Sequence, residues 1–209
     1  MKKQLIIFDM DGTLINSGDV ITNTINFVRI NLGLKEIQKD LMLSQLNNPD
    51  INSAEFFYGT SEFTPKQTEL FTKYYDENCT KEISLYNGIY DLLLELKQKE
   101  YILSVATNAS ADFAIKMLKA LDIYKFFSLV VGANMVSHPK PKPDMLEFTL
   151  KELNIKINNS ILIGDSLKDE RAATAINMKS ILVNWGFSSF KNKISNIDEL
   201  KNKLYKEIK

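Results

Sequence analysis

Cysteine, histidine and tryptophan are almost missing from this 209-residue sequence, which has one of each at Cys79, His138 and Trp185. A single thiol closes no intramolecular disulfide, so the core must hold the fold, and a reducing, cytoplasmic setting is expected. Cys79 itself reads as a small, partly buried apolar residue in a helix. An excess of either charge is also missing, since 26 basic and 26 acidic residues balance to zero. Polyanion binders normally carry a basic excess or stripe, so no nucleic-acid partner is expected. No run reaches the ~18–20 apolar residues of a membrane span, so no membrane partner is expected either. The opening MKKQLIIF is interrupted by Asp9 and Asp11 after four apolar residues, too short for a signal peptide. Repeats and low-complexity tracts are absent as well.

What the sequence does contain is enough apolar residues, at 44%, to build a sizeable core. Five short apolar runs read as buried parallel strands: Leu5 to Phe8, Tyr101 to Ala106, Phe127 to Val131, Ser160 to Ile163 and Ser180 to Val183. Amphipathic helices lie between them. Ile89, Leu92, Leu93 and Leu96 keep helical spacing, as do Ala114, Met117, Leu118 and Leu121, and Pro143-Asp144 opens a third helix. The alternation predicts an α/β fold with a doubly wound, mostly parallel, five-stranded Rossmann-like sheet. The interval from about Gly18 to Ser84 breaks it and reads as helical throughout, with further pieces over Lys35 to Leu46, Ser53 to Tyr58 and Pro65 to Asn78. An all-helical insert after the first strand does not belong to the sheet's own layers. The expected division is a core of residues 1–16 and 86–209 and an inserted helical cap domain of residues 17–85. Hinges are expected near Asn16–Asp19 and Ile83–Gly88.

Ligands in such sheets bind where the strands end at their carboxyl edge. Four polar clusters stand there: Asp9-Met10-Asp11-Gly12-Thr13, Thr107-Asn108, the loop Lys140-Pro141-Lys142-Pro143-Asp144, and Gly164-Asp165-Ser166 with Asp169 one turn on. Each suits phosphoryl transfer. A carboxylate such as Asp9 can attack phosphorus and split hydrolysis into two easier steps. A second carboxylate two residues on, Asp11, can protonate the leaving oxygen and then deprotonate water. Asp9 and Asp165 offer the hard oxygen ligands that Mg²⁺ prefers, together with the backbone carbonyl of Asp11. Lys140 brings a second positive charge, and Thr13, Thr107, Asn108 and nearby N–H groups can hold phosphate oxygens.

The ordered set DxDGT, TN, KPxPD and GDSxxD resembles the haloacid dehalogenase superfamily of phosphatases, and the helical insert resembles its C1-type cap. The resemblance runs from about Lys3 to Phe187 and is to the phosphoglycolate phosphatase and β-phosphoglucomutase subgroup. It implies Mg²⁺, an aspartyl-phosphate intermediate, a small phosphorylated metabolite as substrate, and a cap that closes over it. It also implies that Asp169 orients Lys140 or the metal's waters, and it selects Lys140 over Lys142 as the lysine before the first Pro of Pro-x-Pro. Dehalogenases of the superfamily lack an aspartate at the position of Asp11, so phosphoryl chemistry is expected instead. Where relatives read DGTLxDS this chain has Asn16, and where they have Pro-Gly before the helix after the cap it has Asn87-Gly88.

The same residues allow plainer readings. Asp169 can be a first-turn acid complementing a helix dipole, His138 a solvent-facing bystander, and Trp185 and Phe187 packing after the last strand. Substrate choice is expected from the cap loop Leu46 to Asp50, where Asn47 and Asn48 are the candidates. That loop has no cation for a second anionic group, and Arg29 or Lys66 elsewhere in the cap stand as candidates. A phosphomutase and a catalytically silent metabolite-binding protein are the alternatives to hydrolysis.

Overall fold

A computed structural model describes residues 4–188 and 193–208. Met1 to Lys3, part of the opening segment weighed above, lie outside them. The main sheet consists of β1 (Leu5–Phe8), β4 (Ile102–Thr107), β5 (Leu129–Gly132), β6 (Ser160–Gly164) and β7 (Lys179–Leu182). The strands pair in parallel in the order β5-β4-β1-β6-β7, with β1 in the middle. All four residues of β1 are fully buried, which is why that strand is a continuous apolar run instead of an alternating one.

Side chains of β1 alternate between two cores. Ile6 and Phe8 join one core with Leu92, Leu93 and Leu96 of α5 (Ile89–Gln98), Met117 and Leu118 of α6 (Ala111–Ala120) and Leu200 and Leu204 of α9 (Ile197–Glu207). Leu5 and Ile7 join the other with Met145 and Leu146 of α7 (Asp144–Leu153) and Ala172 and Ala173 of α8 (Leu167–Ala175). Helices therefore cover both faces, and the sheet is doubly wound.

The insert holds α1 (Gly18–Asn31), α2 (Lys39–Leu46), α3 (Ser53–Tyr58) and α4 (Pro65–Asn78). Local chemistry sets these bounds. Asn52 accepts from the N–H groups of Ala54 and Glu55 to start α3, and Gly59 ends it in the left-handed conformation. Thr64 and Gln67 form a reciprocal capping box around Pro65 at the start of α4. Cys79 caps the far end of α4 and is fully buried, deeper than its expected partial burial. The chain crosses between sheet and insert at Ile15–Asn16 (β2) and Ser84–Leu85 (β3), which pair antiparallel with each other. This two-residue ribbon overlaps both expected hinge segments, at Asn16 and at Ser84–Leu85. Helix α2 begins at Lys39, later than Lys35, because the residues before it run without helical backbone.

Candidate active site

The carboxyl edge of the sheet carries the polar clusters into one cleft beneath the insert. Asp9 leaves the end of β1 with its N–H bonded to the Ile163 carbonyl at 2.8 Å, so the last turn of β1 is held against β6. Gly12 then turns the chain at φ +84°, where a Cβ would stand 2.3 Å from Asp165 Oδ2. Only glycine lets the loop lie this close to the carboxylate of the neighbouring strand.

Lys140 is buried and its Nζ lies 2.6 Å from Asp9 Oδ1 and 2.6 Å from Asp169 Oδ1. Lys142, two residues on, is exposed. Asn108 donates to the Lys140 carbonyl at 2.8 Å and accepts the Lys140 N–H at 3.0 Å. Both ends of its amide are engaged there, so the Asn108 side chain fixes the lysine loop. The Thr13 hydroxyl donates to Asp9 Oδ2 at 3.3 Å. Asp11 accepts from the Ser17 hydroxyl on one oxygen and from Thr107 at 3.4 Å on the other. Asp169 combines the two readings weighed for it. Its Oδ2 takes the N–H and hydroxyl of Ser166 in a capping box at the start of α8, while its Oδ1 faces Lys140.

Carboxylate oxygens of Asp9, Asp165 and Asp169 lie within 4.8 Å of one another, and all three residues are buried. Asp165 Oδ2 accepts from the Phe187 N–H at 2.8 Å and from the Asn47 amide at 3.0 Å. Its Oδ1 is buried without a hydrogen-bond partner among the described residues. A bare carboxylate oxygen among other carboxylates is costly unless a cation meets it. The donor set is all oxygen, as a hard divalent ion requires. These residues fit Mg²⁺.

Electrostatics follow from burial. Burial pushes the Asp9 carboxyl up to about 7, with Lys140 pulling the other way. Burial also raises Asp11, against the hydrogen bond from Ser17. Asp165 is raised well above the carboxylate range by burial and then by Asp9 and Asp169. Burial opposes the Lys140 ammonium, but Asp169 and Asp9 outweigh it and hold Lys140 above the ordinary lysine range.

Several further residues line the cleft or brace the loops around it. Gly186 packs so closely that a Cβ would stand 2.3 Å from both Asp165 Oδ2 and the Gly12 carbonyl. Phe187 lines the cleft besides donating to Asp165, and so is more than packing after the last strand. Trp185 Nε1 donates to the Thr13 carbonyl at 3.1 Å, bracing the first loop. Ser17 was visible in the motif, yet its bond to Asp11 depends on where α1 begins. Lys168, in the first turn of α8, lines the cleft and donates to the Leu46 carbonyl at 2.7 Å. Burial lowers it below the ordinary lysine range.

The expected cap residues divide. Asn47 reaches Asp165, whereas the Asn48 amide bonds Gln45 at 3.2 Å and lines an adjoining chamber. Arg29 is tied to the carbonyls of Lys35 and Phe57 within the insert, and Lys66 is exposed; neither lines the cleft. His138 is exposed and paired with Asp144 at 3.0 Å.

Residues 6–183 match the family model described as haloacid dehalogenase-like hydrolase. The chain is 27% identical to a phosphoglycolate phosphatase of Colwellia psychrerythraea, over 90% of this chain and 87% of the relative. It is 29% identical to the pyrophosphatase PpaX of Listeria innocua, over 80% of this chain and 76% of the relative. Among solved structures, a predicted phosphatase from Clostridium acetobutylicum superposes with a TM-score of 0.87 at 26% identity, covering 99% of this chain and 100% of that one.

Proposed function

The chain belongs to the haloacid dehalogenase-like hydrolase family, and on that premise we propose that it is a Mg²⁺-dependent phosphatase with Asp9 as nucleophile and a small phosphorylated metabolite as substrate. The observation that carries the reading is convergence. Asp9 and Asp11 from the loop after β1 and Lys140 from far along the chain line one cleft, and a carboxylate oxygen of Asp165 lies within 4.8 Å of one of Asp9. Residues 17–85 are the cap domain over this cleft, and residues 1–16 and 86–209 are the core. Among the described residues no helix is long and apolar enough to cross a membrane; with the single cysteine, this supports a cytoplasmic site of action.

In the first step an Asp9 carboxylate oxygen attacks phosphorus. The bond from phosphorus to the leaving oxygen breaks, its electron pair goes to that oxygen, and Asp11 supplies the proton. Its raised affinity for a proton suits it to this task. In the second step Asp11 takes a proton from water as the water oxygen attacks phosphorus. The bond from phosphorus to Asp9 breaks, and free phosphate and the carboxylate are restored. Lys140 holds Asp9 in place through its 2.6 Å contact and balances charge that builds on the phosphoryl oxygens. Asp169 and Asn108 orient Lys140, while Thr13 and Thr107 stand beside the two carboxylates. Asp9, Asp165 and the backbone carbonyl of Asp11 would hold Mg²⁺, which supplies positive charge to shield the phosphate from the carboxylates.

The test is release of phosphate from an aryl phosphate by the wild-type protein and by Asp9→Asn, with and without Mg²⁺. The expected result is turnover that needs both the metal and Asp9. Equal rates for the two proteins would overturn the reading.

A further inference from the structure

Two chambers lie side by side under the insert. The first, about 330 Å³, contains Asp9, Asp11 and Thr107. The second, about 550 Å³, is walled mainly by the insert, including Ile25, Phe57, Tyr58 and Phe63. Two cations, Lys140 and Lys168, line both chambers. The Lys140 ammonium is committed to Asp9 and Asp169. Lys168 is half-buried, and its one hydrogen bond among the described residues is to the Leu46 carbonyl, with no carboxylate in ion-pair contact. An ammonium has three donors, and a neutral carbonyl satisfies one of them without offsetting its charge.

A half-buried cation with no anion in direct contact is poorly compensated, and the ligand that enters the cleft is the natural counter-charge. Its position between the chambers matters. The phosphoryl group being transferred belongs beside Asp9, so an anion meeting Lys168 from the second chamber is a different group of the same substrate. Besides Lys140 and Lys168, the described lining of that chamber is apolar or carries neutral amides and hydroxyls, and it gives such a group no further cation.

We propose that Lys168 is a specificity residue that binds a second anionic group on the substrate, a carboxylate or a further phosphate, so that the preferred substrates are small phosphate esters or anhydrides with two anionic ends. The inference rests on the phosphatase reading above. It also answers a gap in the sequence, where the cation for a second anion was sought in the insert. Lys168 comes instead from the core, directly before Asp169.

The experiment compares 2-phosphoglycolate with ethyl phosphate, which has similar size but no carboxylate, and inorganic pyrophosphate with methyl phosphate. KM and kcat are measured for wild type, Lys168→Met and Lys168→Arg, with thermal melting to confirm folding. Lys168→Met should raise KM for the two doubly anionic compounds at least about tenfold and alter the singly anionic ones by no more than about twofold. Lys168→Arg should recover most of the loss. If Lys168→Met affects both kinds of substrate alike, Lys168 merely ties the Leu46 loop and the proposal is overturned; no effect on either overturns it too. Failure of the wild-type protein to hydrolyse any of these compounds or an aryl phosphate would overturn the phosphatase reading itself, and this proposal with it.

Discussion

Lys140 and Lys142 stand two residues apart before two prolines, yet one is buried between Asp9 and Asp169 and the other is in solvent. Removing the buried cation leaves two carboxylates facing each other without an opposite charge. Lys140→Met should therefore lower kcat by at least about a hundredfold and cost about 3–5 kcal/mol of stability. Lys142→Met should leave both within about twofold and about 0.5 kcal/mol. Steady-state kinetics and denaturant titration of the two variants check this. A second prediction concerns Asp165. Because a Cβ at position 186 would stand 2.3 Å from its Oδ2, Gly186→Ala should displace the carboxylate. The Mg²⁺ concentration for half-maximal activity should rise about ten- to a hundredfold, readable by titrating the metal. Strand-end residues such as Asp9 and Asp165 were legible in the sequence because an apolar run ends just before them. Gly186, Phe187 and Lys168 were not, because their place in the cleft depends on how β7 and α8 pack, and no local pattern encodes that.

At the scale of elements, the strands and most insert helices were readable to within one or two residues, since apolar runs and caps such as Thr64 with Pro65 are local signals. The β2–β3 ribbon was not readable, because two-residue strands show no periodicity. Helix α9 was also not anticipated, and it is held by an interaction between distant positions. Glu95 of α5 contacts Lys201 at 2.8 Å, the Tyr205 hydroxyl at 2.6 Å and Lys99 at 3.0 Å. These hydrogen bonds, Lys201 first, hold the Glu95 carboxyl down at about 2. A depressed carboxyl contributes stability above its unfolded pKa and loses it as pH falls toward the folded one. Glu95→Gln should thus melt below wild type at pH 7, and the gap should close as pH falls from the ordinary carboxylate range toward about 2. Melting curves across that window test it; a constant gap would count against the network.

At the scale of the whole molecule, the insert and the sheet unit share a buried apolar seam, where Tyr75 packs on Phe113 and Met117, and polar contacts at the rim. Arg171 of α8 makes a two-pronged pair with Asp50 at 2.6 and 2.9 Å, and Lys116 of α6 pairs with Asp76 at 2.7 Å. Exposed pairs of this kind are screened by water and salt and contribute little to stability. Under the proposed reading of the insert as a cap, such pairs bias its closure over the cleft without locking it. Arg171→Ala should raise KM by less than about fivefold, with kcat nearly unchanged, and added salt should narrow the difference. Kinetics at low and high ionic strength measure both effects.

All of these contacts serve one claim, that Asp9 takes the phosphoryl group from substrate before water does. The most direct measurement is to quench the protein with acid during turnover in Mg²⁺ and search its peptides for a covalent phosphoryl group by mass spectrometry. The expected result is a phosphoryl group on the peptide containing Asp9, absent in Asp9→Asn, which should also release no phosphate. Steady phosphate release with no phosphoryl group on Asp9, or undiminished turnover by Asp9→Asn, would contradict the account.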